Sequence, residues 1–367
     1  MSLRAGDLLK DLETGEERFR IASLLKEGRS FFVALGEDTH LEGMKVVLKA
    51  IRYDEDADGD HIAERREAMS QELEALTVPT SLLPEPIDFL KVASDQGGAE
   101  PVLVLELISG QTLRHEVERG NGGLDPRRAL VMVRELAIGL GKLHEAGFVY
   151  RDLNPDHVIV GFDDNLHLVG TGNIQRAESR PFAAKEGISD IWSAPEIRRE
   201  LSGKYITPRA DIYSLGALLA FLLTGVEPTE HPESPLSPDG YQRLLTLKPA
   251  GYGLIVSKCL ASMAKNRFKD IPALLVHLNP DALPTASTRG FEKVELPEPF
   301  HRHLDNRATR SKLSAGPLLS VPSAVVPEQA ALEKRPESLP APWYRSCLPW
   351  MSAPLLLVAL AAILASL

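Results

Sequence analysis

The order in which hydrophobic patterns appear along the chain constrains its fold most tightly. Short β-type runs come early: Phe19–Leu25, Ser30–Leu35, Lys45–Ala50 and Val102–Leu107, the last apolar except for Glu106. One charged helical stretch, about His61–Leu76, interrupts them and is ended by Pro79. After Asp125-Pro126, a helix-start signal with proline in the first turn, the period changes. Leu130, Val133, Leu136, Ala137, Leu140 and Leu143 then recur at helical spacing through Arg128–Ala146. Strands first and helices later predict an α+β fold with a sheet-rich front and a helical back. No internal repeat of fixed period is present.

Composition narrows the function. A net charge of −10 argues against a nucleic-acid partner, which would need a basic face to meet phosphates, so none is expected. An apolar share of 44% excludes wholesale disorder. Two cysteines, Cys259 and Cys347, cannot build a disulfide framework, and a reducing compartment is expected. Met1 to Glu17 lacks the basic start and apolar core of a signal peptide. Proline recurs from Pro280 to Pro342 without a long apolar period, which reads as a flexible linker over 281–347. From Ser346 onward no charged residue occurs, and Leu355–Leu367 is almost wholly Leu, Ala, Ile and Val. About 20 residues at a helical rise cross a bilayer core, so 348–367 is predicted to be a single transmembrane helix. Trp343, Tyr344 and Trp350 stand at its interface, and Lys334, Arg335 and Arg345 mark a cytoplasmic side for the body. Asp54, Asp56, Asp58 and Gly59 match half of a calcium loop, but Arg65 stands where its bidentate glutamate belongs, so a solvated acidic loop is the plainer reading.

Phe148–Val160 reads FVYRDLNPDHVIV. This segment resembles the catalytic loop of eukaryotic-type (Hanks-type) serine/threonine protein kinases, H-R-D-L-K-P-E-N followed by an apolar strand. Further elements follow in family order: Val46-Val47-Leu48-Lys49 resembles the V-A-I-K strand, and Glu72 falls at the helix αC glutamate, with Gln71 and Glu74 as near alternatives. Leu103–Leu113 resembles the hinge, Ser193-Ala194-Pro195-Glu196 the A-P-E element, and Asp211–Gly216 the start of the central helix. Cys259-Leu260 and Arg267-Phe268 resemble the last motif of that fold. The resemblance spans about Phe19 to Leu278. It implies a bilobal kinase-like fold, with an N-lobe over 19–108 and a C-lobe over 109–280, after an N-terminal extension at 1–18.

Phosphoryl transfer is mostly positioning and charge neutralisation. By the resemblance, Lys49 would meet ATP phosphates and Glu72 would hold it. Gly28, Val33, Val47, Glu106 and Ile159 would line the nucleotide site. Asp152 would orient the acceptor hydroxyl, and Arg151 would tie the activation segment to the loop. Glu196, Arg267 and Asp211 would be structural, with Glu196 pairing Arg267 and Asp211 holding the catalytic loop. Tyr150 replaces the usual histidine. The glycine-rich loop is poor: in Lys26-Glu27-Gly28-Arg29-Ser30-Phe31-Phe32-Val33 only Gly28 and Val33 fit, and Lys26 and Phe31 would restrict the approach of backbone amides to phosphates, although Lys26 could add a cation. The metal ligands are absent. The D-F-G triplet aligns with Gly170-Thr171-Gly172, and the catalytic-loop asparagine aligns with His157. Mg²⁺ prefers hard oxygen donors, so neither position serves it, and Asn154 replaces the loop lysine. Asp163 and Asp164 are candidate substitute ligands, but an Asp-Asp-Asn turn between strands is the plainer reading. Thr171 removes an apolar block under αC, and Thr171, Ser179 and Ser189 are candidate phosphosites of the activation segment, with an ordinary loop hydroxyl the plainer reading for each.

These residues predict a membrane-tethered pseudokinase that binds a protein partner or a nucleotide, with room for ATP, weak or no Mg²⁺ binding and no metal-ligand set. Two alternatives accompany it: an active serine/threonine kinase with an atypical metal site and a protein substrate, and a tail-anchored adaptor without nucleotide binding.

Overall fold

The computed structural model describes residues 4–284, except 29–30, 53–58, 95–97, 121, 178–190, 199–205, 230 and 232–234, together with Thr288. Its front is an antiparallel sheet built from β1 (Leu8–Lys10), β2 (Glu17–Glu27), β3 (Phe31–Asp38), β4 (Met44–Ile51), β5 (Pro86–Ala93) and β6 (Ala99–Glu106). Their order is β1-β2-β3-β4-β6-β5, and helix α1 (Gly59–Leu76) connects β4 to β5. Alternation decides what each face carries. Val46, Leu48 and Ala50 of β4 join Phe19, Ile21, Ala34, Val102 and Val104 in one core. Val47 and Ile51 face the second core, shared with the helices, so period 2 puts Lys49 between them on the cleft side. The segment before Phe19, expected as an extension, contributes to this sheet. Leu9 is buried opposite Phe19 as β1 pairs with β2. Three residues give too little alternation to reveal such a strand in sequence.

The back contains β7 (Gly110–Thr112), α2 (Leu113–Arg119), α3 (Pro126–Glu145), β8 (Phe148–Val149), β9 (Val158–Gly161), β10 (Leu166–Leu168) and β11 (Gln175–Arg176), followed by α4 (Pro195–Arg198), α5 (Arg209–Thr224), α6 (Pro238–Thr246), α7 (Gly251–Cys259) and α8 (Ile271–Leu275). Asp125 caps α3, accepting from the Arg127 and Arg128 amides. Helix α5 is buried on every side from Ala210 to Thr224, which makes it the post around which the other helices pack. Gly216 lets α7 cross α5 closely, because a side chain there would run into Cys259.

Burial pushes the Cys259 thiol up to about 12. A folded value above the unfolded one means that this thiol favours the fold at neutral pH and loses that contribution as pH rises from 9 towards 12. In a Cys347→Ser chain, a thiol reagent at pH 8 should therefore find no reactive cysteine until the protein unfolds, which absorbance titration would show. Among the described residues, no helix is long and apolar enough to cross a membrane. The expected span at 348–367, Cys347, most of the linker, Asp54, Asp56 and Asp58 lie outside the described residues.

Candidate active site

The catalytic-type loop between β8 and β9 stands on Asp211 of α5. This fully buried carboxylate accepts the amides of Tyr150 and Arg151, each at 2.8 Å, and lies 2.8 Å from His144 Nε2. The two amide bonds hold Arg151 at φ 72°, a backbone state that costs a non-glycine residue on the order of 1–3 kcal/mol. The Arg151 guanidinium donates to Gln175 on β11, as the resemblance implied for a tie to the following segment. Burial pulls it down to about 10, against the pull of Asp211 and Asp152. The Tyr150 hydroxyl donates to the Val169 carbonyl, and burial raises this phenol well above its usual value. A tyrosine thus takes over a structural tie from within the loop, a role that the sequence did not reveal.

Lys49 Nζ donates to both oxygens of Glu72 at 2.8 and 2.6 Å, and Glu72 is fully buried. The neighbouring alternatives turn elsewhere. Glu74 accepts from the Arg176 side chain, and Gln71 accepts the Arg176 amide at 3.4 Å. Two contacts around this pair went unread in the sequence. The buried Thr171 hydroxyl donates to Glu72 Oε1 at 2.5 Å, so the residue expected to remove an apolar block under αC ties α1 to the segment after β10. That burial also removes Thr171 from the accessible hydroxyls, while Ser179 and Ser189 lie outside the described residues. The Phe31 ring covers Lys49 Nζ at 4.3 Å from its centroid, a cation–π contact. Gly172 makes room for the lysine, since a Cβ there would lie 2.5 Å from Nζ.

Asp152 is buried and surrounded by side-chain amides. Asn173 Nδ2 donates to Oδ2 at 3.0 Å, and Asn154 Nδ2 donates to Oδ1 at 3.2 Å. His157 Nδ1 stands 3.4 Å from Oδ2 and 3.0 Å from the Asp152 carbonyl. Asn173 had no motif to announce it; only the loop's return past Asp152 reveals it. The His157 ring also packs on Gly170. A Cβ on Gly170 would come within 2.7 Å of the imidazole, and Gly170 has φ +75°, where side chains are disfavoured. The two substitutions are one packing unit: the ring fills the space that an aspartate at 170 would need. One carboxylate ringed by amides and an imidazole does not fit Mg²⁺, which seeks several oxygen ligands. Among the described residues, no group of three His, Cys, Asp or Glu could hold a metal. Asp163 and Asp164 remain in the β9–β10 turn, where Asn165 donates to Asp163 at 2.6 Å.

The other nucleotide-site positions are spread across the cleft. Val33 pairs with Lys49 across β3 and β4, Val47 pairs with Leu105, and Ile159 lies on β9 opposite Thr112. The Glu106 amide donates to Glu85 O at 2.9 Å, anchoring the hinge end of β6. The Gly28 amide donates to Phe31 O at 2.9 Å, so the hairpin itself uses that donor. Below the cleft, Arg267 holds Glu196 with two bonds at 2.6 and 2.8 Å, both residues being buried. Trp192 meets Phe221 edge-on at 5.4 Å, seating the approach to α4 on α5.

A family model described as protein kinase domain matches residues 28–268. The chain is 29% identical over 220 residues to serine/threonine-protein kinase pkn2 of Myxococcus xanthus, covering 59% of this chain and 25% of that protein. It is 36% identical over 155 residues to serine/threonine-protein kinase PknL of Mycobacterium tuberculosis, covering 41% of this chain and 37% of that protein. Against serine/threonine-protein kinase PknB of Mycobacterium leprae the figures are 28% over 223 residues, 60% and 34%. The matched region thus spans roughly a quarter to two fifths of these relatives. The crystal structure of the Mycobacterium tuberculosis PknI kinase domain superposes with a TM-score of 0.54 at 21% identity, covering 77% of this chain and all of that one, which bears on fold alone.

Proposed function

The chain belongs to the protein kinase domain family, and from that premise we propose that it is a pseudokinase, tethered to a membrane by its apolar C-terminal segment and acting through a bound protein partner or nucleotide. One observation carries this reading: His157 packs into the space of the missing carboxylate at Gly170. Family members generally bind ATP with Mg²⁺. Here Lys49, held by Glu72, is the group that would meet ATP phosphates, and Mg²⁺ has no fitting ligand set. Without it, the charge that builds up during transfer loses its main neutraliser; one lost electrostatic contact commonly costs about 10²–10³ in rate. The uncharged stretch from Ser346 to Leu367 supports the tether and a cytoplasmic body.

A second reading, an active serine/threonine kinase, draws on the formed Lys49–Glu72 pair and on Asp152. Incubation with γ-labelled ATP, Mg²⁺ and a general protein substrate separates the two. The pseudokinase should transfer no more label than its Asp152→Ala variant. Transfer that vanishes in Asp152→Ala and in Lys49→Ala would establish the active kinase instead.

A further inference from the structure

Strand register places a second cation on the face that carries Lys49. Val33 of β3 pairs with Lys49 of β4 on one side and with Lys26 of β2 on the other. Directly opposed residues in an antiparallel sheet point to the same face. Lys26, Val33 and Lys49 therefore form one row on the cleft side, with the lysines two strand spacings, roughly 10 Å, apart at the backbone. A lysine side chain reaches about 6 Å, so both ammonium groups can close on one polyphosphate lying along the row. Lys26 is exposed, and among the described residues it has no ion-pair partner; Glu27, beside it, pairs with Arg52 at 3.2 Å. The shift of register between Leu24 and Lys26 brings the lysine onto this face. The charge that a divalent cation would neutralise is otherwise unmet, because His157 and Gly170 supply no side-chain oxygen for that ion.

We propose that Lys26 and Lys49 form a metal-free site for the triphosphate of a nucleotide, with Lys26 supplying positive charge in place of the cation. The proposal rests on the metal-deficient site described above. The Phe31 ring covers one side of the Lys49 ammonium, so a phosphate approaching from that side must displace the ring.

The test uses the full 367-residue chain in detergent, with calorimetric titration of ATP, ADP and adenosine, each in EDTA and in Mg²⁺. The expected result is ATP binding in EDTA at least as tight as in Mg²⁺. Lys26→Ala should weaken ATP about tenfold, the effect of one lost charge contact, and leave adenosine unchanged. Lys26→Arg should retain binding, and circular dichroism should show each variant folded. An equal loss for adenosine, or no loss in Lys26→Ala, would overturn the assignment of Lys26. Binding that requires Mg²⁺ would overturn both this proposal and the metal-deficient reading. Absence of nucleotide binding under either condition would overturn this proposal while leaving the pseudokinase reading intact.

Discussion

His157→Asn combined with Gly170→Asp should give the chain a Mg²⁺-dependent rise in stability that neither change gives alone. The reason is geometric. With His157 in place, the Cβ of an aspartate at 170 would meet the imidazole at 2.7 Å, so Gly170→Asp alone must push the ring aside. It must also hold a side chain at φ +75°. Strain and overpacking of this kind together cost about 1–3 kcal/mol, and the single variant should melt lower with no response to the ion. His157→Asn alone opens the space but supplies no carboxylate. Only the pair offers two oxygen donors beside Asp152. An ion present at 100-fold above its dissociation constant would then stabilise the fold by about 2.7 kcal/mol, read as a shift in thermal midpoint with Mg²⁺ and ATP present. A response in Gly170→Asp by itself would show that His157 is no obstacle.

Arg267→Ala should be the most damaging single change in the scaffold. The guanidinium is buried, holds Glu196 bidentately, and also donates to the carbonyls of Ala261 at 2.8 Å and Arg209 at 2.9 Å. Its removal strands a buried carboxylate, which typically costs about 3–5 kcal/mol, much of the stability of an ordinary domain. Urea denaturation followed by circular dichroism would measure the loss. Glu196→Gln with Arg267→Met should lose less than Arg267→Ala alone, because no unpaired charge then remains buried. Equal losses would mean that the carbonyl contacts of Arg267, rather than the ion pair, carry its effect.

The scaffold was legible because its signals are local or periodic. The apolar spacing of α3 and its Asp125 cap announced that helix, and the short run Lys45–Ala50 announced most of β4. The family resemblance implied Glu72 beside Lys49, Asp211 under the loop and Arg267 on Glu196, pairings that join long stretches of chain. The site's own adaptations were less legible, since each depends on how two segments meet. Thr171 looked like a loss of packing, yet its hydroxyl reaches Glu72 from a different element. Phe31 looked like a steric defect in a phosphate loop, yet its ring covers the Lys49 ammonium. Asn173 carried no motif, and Asp152 gains a partner there only through the fold. Gly170 and His157 were each visible as departures. That they form one packing unit required their contact.

The loss of the metal site is tested most directly by titrating Mn²⁺ into the chain with ATP present and following free Mn²⁺ by electron paramagnetic resonance. Mn²⁺ takes the same oxygen ligands as Mg²⁺ and loses its sharp signal when protein-bound. With His157 against Gly170, the signal should not fall below that of ATP and Mn²⁺ without protein. A further loss equal to one Mn²⁺ per chain, abolished by Asp152→Ala, would contradict a metal-free site.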